Sequence, residues 1–206
     1  MELRMRSWDA LDDFVLKPAG DISNAFIQAG TLDYRAAAQF VSHVPYGRNK
    51  NISDPLIVIR EDRGTCSTKH ALLRRLATEQ GLDVALVLGI YEMHARNTPD
   101  VGSILQKHRL ASLPEAHCYL RFRGNRIDIT REIDAHPPEA IAHFLHEEDI
   151  APEQICHYKE TVHRKFLARW IAKTGTGTGG RTLSEIWRIR EEYIAALSHN
   201  EVERLR

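Results

Sequence analysis

The chain has 206 residues, 43% hydrophobic and 27% charged, which is the composition of a globular protein rather than a disordered one. Its 28 basic and 28 acidic residues cancel to a formal net charge of zero, which disfavours nucleic acid as a partner because phosphate-binding proteins carry a basic excess. No apolar run reaches the ~20 residues that a membrane span needs, so we expect no membrane partner.

The three cysteines, Cys66, Cys118 and Cys156, are too few and too widely spaced for a disulfide framework. Residues 1–17 are charged throughout and lack the apolar centre of a signal peptide. Both features predict a cytoplasmic protein with reduced thiols, each either a small core residue or a reactive group. Without a Cys-x-x-Cys pair we expect no metal site, and we expect no other cofactor.

The chain divides into three predicted regions. Residues 1–30 are an N-terminal extension, either a strand or an irregular segment, and residues 31–135 hold the core. Residues 136–206 form a helical C-terminal extension, in which a flexible Gly/Thr linker at 174–180 separates the last two of three helices. The predicted helices span residues 139–147, 152–173 and 182–204. The last one has an apolar stripe, which must pack on the domain or on a second copy of the chain as a homodimer.

In the core, the spacing predicts a helix over residues 66–80. Apolar residues at positions 72, 73, 76 and 77 fall on one helical face. Thr65 is the expected N-cap, and Gly81 ends the helix. Cys66 therefore lies in the first turn, while Lys69 and His70 are interpreted as part of a solvated face.

A strand and a hairpin follow this helix. Residues 84–91 are a nearly continuous apolar run, typical of a buried strand. Residues 117–123 and 126–130 alternate between apolar and polar positions around Gly124-Asn125, which is a two-residue turn signal. By parity, Cys118 lies on the apolar face of the hairpin, whereas His117 and Asp128 share its polar face.

Cys66 is the candidate nucleophile. The amino end of a helix lowers the pKa of a thiol, because the unpaired amides and the helix dipole favour the thiolate. Gly64 would allow a sharp turn before the helix, and the Cys66 amide could donate to an oxyanion. A histidine base and an orienting carboxylate complete such a site, and the hairpin offers His117 and Asp128 for these roles.

These residues resemble the transglutaminase-like superfamily. The similar segments are residues 64–69 (GTCSTK), 117–122 (HCYLRF) and 127–130 (IDIT), in the chain order of that family's Cys–His–Asp triad. The resemblance covers residues 31–131 and implies an α+β, papain-like core in which the nucleophile helix packs on an antiparallel sheet. It also implies Cys66 as nucleophile, His117 as base opening a strand, and Asp128 as orienting acid.

Some supporting roles stay open at this point. A strict turn at Gly124-Asn125 pairs Asp128 with Arg121 and puts Glu132 opposite His117, so Glu132 is the alternative orienting acid. Gly64 and Thr65 flank the nucleophile as supporting residues. Upstream of the nucleophile, Gln39 and Tyr46 are candidates for a second oxyanion donor, as in papain-like folds.

The leading hypothesis is a thiol-dependent acyl-transfer enzyme that acts on an amide or peptide bond by hydrolysis or transfer. Its partner would be a peptide or a small amide substrate. An arylamine N-acetyltransferase-like activity is an alternative, since residues 63–66 (RGTC) resemble that family's Arg-Gly-Gly-x-Cys. The third alternative is a non-catalytic binding or assembly module with a relic triad.

Overall fold

The chain folds into an α+β structure, which the computed structural model describes over residues 7–131 and 139–204. A four-stranded sheet has the order β3-β2-β1-β4, with β1 Ala85–Met93, β2 Leu113–Phe122, β3 Asn125–Ile127 and β4 His146–Ile150. In the described residues the helices are α1 Asp21–Gln28, α2 Tyr34–His43, α3 Ile57–Glu61, α4 Cys66–Glu79, α5 Gly102–Lys107, α6 His157–Thr174 and α7 Leu183–Arg204. None of the helices described combines the length and the apolar character that a membrane crossing needs.

Two compact units share the chain. The first comprises Met1–Leu88, Cys118–Asp134 and Glu148–Ile155, and the second comprises Gly89–His117, Ala135–Glu147 and Cys156–Arg206. Strands β1 and β2 each begin in one unit and end in the other.

Helix α4 is the centre of the first unit. Its first eight residues are all buried, and α1, α2 and α3 pack on it. Asp33 is the N-cap of α2, because its side chain accepts a hydrogen bond from the Ala36 amide at 2.6 Å. Glu79 near the end of α4 accepts from the Ser23 amide at 2.7 Å, so α1 is fixed at its amino end.

Residues 7–30 contribute to the core of this unit. Trp8 lies in a short 3₁₀ helix, Ser7–Ala10, and Phe26 lies in α1, a helix that the sequence reading missed. Both aromatic side chains are buried. Within residues 7–30, strand pairing is limited to an isolated bridge between Val15 and Asp33.

The β2–β3 hairpin forms as predicted, but its turn lies one residue earlier. Phe122 pairs with Asn125 and Leu120 with Ile127, so the turn residues are Arg123 and Gly124 rather than Gly124-Asn125. Both turn residues have positive φ, 48° and 78°, as in a type I′ turn. The shift changes the register by two residues. The apolar pattern does not distinguish the two registers, because a slip of two residues keeps every side chain on the same face of the sheet.

In the second unit, helix α7 packs on α5, α6 and the 3₁₀ helix Pro99–Val101. The stripe of α7 is buried there, through Ile186, Ile189, Tyr193, Ile194 and Leu197. The packing on the domain that the sequence offered as one alternative is therefore observed. The predicted flexible linker at 174–180 contains a 3₁₀ helix, Gly175–Thr178, which the buried Thr178 hydroxyl closes by donating to the Gly175 carbonyl at 2.9 Å.

The predicted helix over residues 139–147 is wrong. Residues 139–145 have no regular structure, and β4 begins at His146. The Leu145 amide donates to the Ile90 carbonyl at 2.6 Å, so the end of this segment lies alongside β1. The predicted helices over 152–173 and 182–204 are confirmed as α6 and α7, although α6 begins later, at His157, after a short 3₁₀ helix.

Candidate functional site

Cys66 is the first residue of α4, as predicted, and is 7% exposed. Thr65 is the N-cap and forms a capping box with Thr68, whose Oγ1 accepts from the Thr65 amide at 3.0 Å. The Thr68 hydroxyl in turn donates to Asn49 Oδ1 at 2.8 Å, which holds the preceding loop against the helix. The thiol therefore sits in a fixed first turn, where the dipole of a 14-residue helix favours its anion.

Gly64 is needed for close packing rather than for the sharp turn expected from the sequence. Its φ is not positive, but a Cβ there would lie 2.9 Å from Lys69 Cγ and 3.1 Å from Val58 Cγ2. The Gly64 backbone is bonded to the chain beside Tyr46: its amide donates to the Pro45 carbonyl at 3.0 Å, and its carbonyl accepts from the Gly47 amide at 3.2 Å.

The two upstream oxyanion candidates are placed differently. Tyr46 is buried and forms an isolated β-bridge with Gly64, two residues before Cys66. The Arg131 guanidinium lies over the Tyr46 ring, 4.9 Å from its centroid. The Gln39 side chain is exposed on α2. Of these two residues, only Tyr46 is bridged to the segment that leads into the nucleophile helix.

Lys69 and His70 are fully buried, which corrects the solvated face expected from the sequence. The Lys69 ammonium donates to three backbone carbonyls, those of Ser42 at 3.5 Å, Thr130 at 2.8 Å and Val44. The spacing contained the signal for this burial, since positions 69 and 70 precede positions 72, 73, 76 and 77 on the same helical face. Their polar side chains, however, are typical of a solvated helix face.

Asp128 follows β3 in the first unit. Its Oδ1 accepts from the Thr130 amide at 3.0 Å and from Thr130 Oγ1 at 2.5 Å, and it lies 3.6 Å from His70 Nε2. The observed register, continued by one residue, puts Asp128 opposite Tyr119 instead of Arg121. The side chain is 37% exposed. Asp128 is thereby placed beside the nucleophile helix through His70, a contact that the sequence did not predict.

His117 lies in the middle of β2, not at the start of a strand as the resemblance implied. It is 9% exposed, and its ring meets the edge of Tyr91 at a centroid distance of 6.0 Å, within the second unit. The next residue, Cys118, belongs to the first unit, where its Sγ accepts from Ser67 Oγ at 3.6 Å. Glu132, the alternative acid, lies outside the described residues.

Several hairpin arginines are engaged by other side chains. Arg121 donates to both oxygens of Asp149 at 2.6 and 2.7 Å, and Arg123 to both oxygens of Asp12 at 2.9 and 2.8 Å. Arg126 covers the ring of Tyr119 at 5.2 Å. Across residues 7–131 and 139–204, no group of three or more His, Cys, Asp or Glu side chains is arranged to hold a metal ion.

No protein-family model, no curated protein and no solved structure matches this chain. The resemblance to the transglutaminase-like superfamily therefore stays a prediction from the motifs. In the first unit, the described contacts group Thr65, Cys66, Lys69, His70 and Asp128 around the first turns of α4.

Proposed function

We propose that the chain is a thiol-dependent acyl-transfer enzyme with a papain-like core, in which α4 carries the nucleophile. His117 takes the proton of the Cys66 thiol, and the resulting thiolate attacks the carbonyl carbon of an amide or peptide bond. His117 then protonates the leaving amine, and Asp128 orients its imidazole. Water attacks the resulting thioester in hydrolysis, or an amine attacks it in transfer, and the thiol is regenerated.

The observation that carries this proposal is the position of Cys66 at the start of a buried helix. An amide at the first position of a helix points out of the helix end, where an oxyanion could accept a hydrogen bond from it. The buried Lys69 ammonium, one helical turn later, adds positive charge on the same side of the helix. Both features favour a thiolate over a thiol at this position.

Two further contacts support the roles of the other residues. Ser67, which follows Cys66, contacts Cys118, which follows His117 in β2. Asp128 lies beside His70 on the nucleophile helix. The chain neighbours of the proposed nucleophile and base are thus in contact, and the proposed acid adjoins the same helix.

The pH dependence of iodoacetamide alkylation tests this function. Each cysteine lies on its own tryptic peptide, residues 64–69, 110–121 and 132–159, so mass spectrometry reports each thiol separately. We expect Cys66 to react as a thiolate well below pH 7 in the wild type and to lose this reactivity in His117→Ala. The exposed Cys156, which the proposed site does not use, is measured in the same sample as an internal reference.

An ordinary Cys66 thiol, with a pKa of about 8.5 and no dependence on His117, would contradict the proposal and favour a binding module. A reactive Cys66 would justify a screen of amide and peptide substrates, with Cys66→Ser as the inactive control. Labelling by acetyl-coenzyme A in that screen would instead identify the arylamine N-acetyltransferase-like reaction.

A further inference from the structure

His70 is a fully buried imidazole that contacts the backbone of Cys66 and the backbone of the residue after Asp128. Its Nδ1 lies 2.7 Å from the carbonyl oxygen of Cys66, one turn back in α4. Its Nε2 lies 2.9 Å from the backbone nitrogen of Ile129, which follows Asp128. The ring therefore spans from the residue that carries the thiol to the residue after the proposed orienting acid.

These two contacts define the protonation of the ring. A backbone amide can only donate, so Nε2 must be the acceptor and must carry no proton. The proton is then on Nδ1, which donates to the Cys66 carbonyl. Asp128 Oδ1, 3.6 Å from Nε2, faces a lone pair and is held by the Thr130 amide and hydroxyl instead. An acidic side chain, Asp128, therefore lies close to this ring, and the basic Lys69 precedes His70 in α4.

We propose that His70 is a positioning residue for the reaction of Cys66, acting as a neutral imidazole of one tautomer that fixes the first turn of α4 against the segment carrying Asp128. The inference rests on the function proposed above and adds to it a residue that touches no substrate. Such a link matters because a displacement of about 1 Å between reacting groups can reduce a rate about 100-fold.

The nearby Lys69 acts on the same segment in a different way. Its ammonium donates to the Thr130 carbonyl at 2.8 Å, so α4 and the chain after β3 are also linked through a flexible side chain. His70 differs because its ring is rigid and both of its nitrogens are used. A flexible ammonium tolerates a shift of the Asp128 segment. The rigid imidazole instead fixes the distance between the Cys66 carbonyl and the Ile129 amide.

The test compares His70→Ala and His70→Gln with the wild type in the peptide-resolved alkylation assay. The alanine variant loses both contacts, while the glutamine variant keeps an acceptor for the Ile129 amide. We expect the Cys66 alkylation rate at pH 7 to fall at least 10-fold in His70→Ala, with its pH midpoint displaced towards 8.5, and to recover in part in His70→Gln. His43→Gln is the matched control, since exposed His43 makes the same Nδ1 contact to the carbonyl four residues back, at 2.7 Å.

A double-mutant cycle with Asp128→Asn separates positioning from general destabilisation. If His70 acts through the Asp128 segment, Asp128→Asn slows Cys66 in the wild type but changes His70→Ala less than twofold. Independent, multiplicative effects would overturn the inference. A lowered melting temperature of His70→Gln with an unchanged pH profile would also overturn it, since that result describes a purely structural residue.

The ring itself gives a second readout. Nitrogen-15 spectra of the histidine side chains at pH 7 should show His70 with a protonated Nδ1 and an unprotonated Nε2, and a protonated Nε2 would contradict the inference.

Different results would reject the proposed function and the positioning role of His70. An unreactive Cys66 in the wild type rejects the function, whereas a reactive Cys66 that ignores His70 rejects only the positioning role.

Discussion

Lys69 is a charged side chain that the fold buries completely. Removing an ammonium from water is costly, and here backbone carbonyls from α2, the following turn and the segment after β3 replace the lost hydration. Those carbonyls lie in two separate stretches of the chain, at residues 42–44 and at residue 130. Lys69 therefore stabilises the packing of α4 by satisfying acceptors that would otherwise be buried without a donor.

We predict that Lys69→Met lowers the free energy of unfolding by about 2–3 kcal/mol, because methionine fills the space but leaves the carbonyl oxygens without a donor. Urea denaturation followed by circular dichroism measures this change. Lys50→Met, at an exposed lysine of the same unit, is the control and should stay within about 0.5 kcal/mol of the wild type. Equal effects of the two substitutions would contradict the role assigned to Lys69.

Glu115 is a buried carboxylate of the second unit. It accepts from the Arg190 guanidinium at 2.8 and 3.2 Å and from the Tyr193 hydroxyl. Burial alone would raise the pKa of Glu115, but the positive charge of Arg190, with His163 and Lys159 nearby, outweighs it and lowers this pKa to about 2. Burial also lowers the pKa of His163, whose Nε2 lies 2.9 Å from the Pro114 carbonyl.

This lowered pKa predicts a dependence of stability on pH. The stabilisation by Glu115 is fully present above its unfolded pKa of 4.5 and is lost as pH falls towards 2. We expect roughly 3 kcal/mol of unfolding free energy to disappear across this range in the wild type, and Glu115→Gln to lack that loss. Denaturation titrations between pH 2 and 7 measure it. Glu160→Gln, at an exposed position of α6, should retain the wild-type acid limb, and an acid limb that survives in Glu115→Gln would contradict the prediction.

At the scale of elements, the β2–β3 hairpin shows how a local turn sets the position of a functional residue. The turn at Arg123-Gly124 requires positive φ at both residues, and glycine adopts such a conformation without a steric penalty. This turn fixes the register that, continued by one residue, puts Asp128 opposite Tyr119. Its stability therefore bears directly on where the proposed acid lies.

We predict that Gly124→Ala lowers the free energy of unfolding by about 1 kcal/mol, because a Cβ strains the left-handed backbone there. Space is not the cause, since a Cβ at this position would meet no other heavy atom within 4 Å. Gly124→Asn should cost less, because asparagine tolerates positive φ. Thermal unfolding of the two variants measures the difference, and an alanine variant as stable as the asparagine variant would contradict this explanation.

The elements predicted best are those with a strong local pattern. Helix α4 was expected over residues 66–80 and ends at Glu79, and the hairpin alternation places Cys118 on the face that contacts α4. The segment at 139–147 was misread because its composition allows a helix, whereas its backbone pairs beside β1. Strand pairing depends on a distant partner, which local periodicity does not contain.

For the whole molecule, the sequence left two partners for the apolar stripe of the last helix, the domain or a second copy of the chain. The stripe is buried within the second unit. A homodimer through this helix stays a prediction. Because the stripe residues are buried within the unit, the contact between two copies would need other residues of α7. Surface residues of α7, such as Arg188, would then form any dimer contact.

We predict that Ile186→Ala lowers the free energy of unfolding by about 2–4 kcal/mol, because Ile186 is fully buried in the second unit. Arg188→Ala, at an exposed position of the same helix, should change it by less than about 0.5 kcal/mol. Denaturant titrations with sedimentation velocity at one protein concentration measure both properties. An Ile186→Ala variant that keeps its stability but changes its oligomeric state would show instead that the stripe is a subunit interface.

The sequence by itself determined the helix with Cys66 in its first turn, the alternating hairpin and the α+β class, because helical and strand periodicities are local properties of the chain. Only the tertiary structure decided that Lys69 and His70 are buried, that Asp128 lies beside α4, and that Gly64 is required by close packing. Burial and register depend on residues far away in the sequence. The polar surroundings of the proposed nucleophile therefore became visible only when α4, the hairpin and the loop after α2 were packed together.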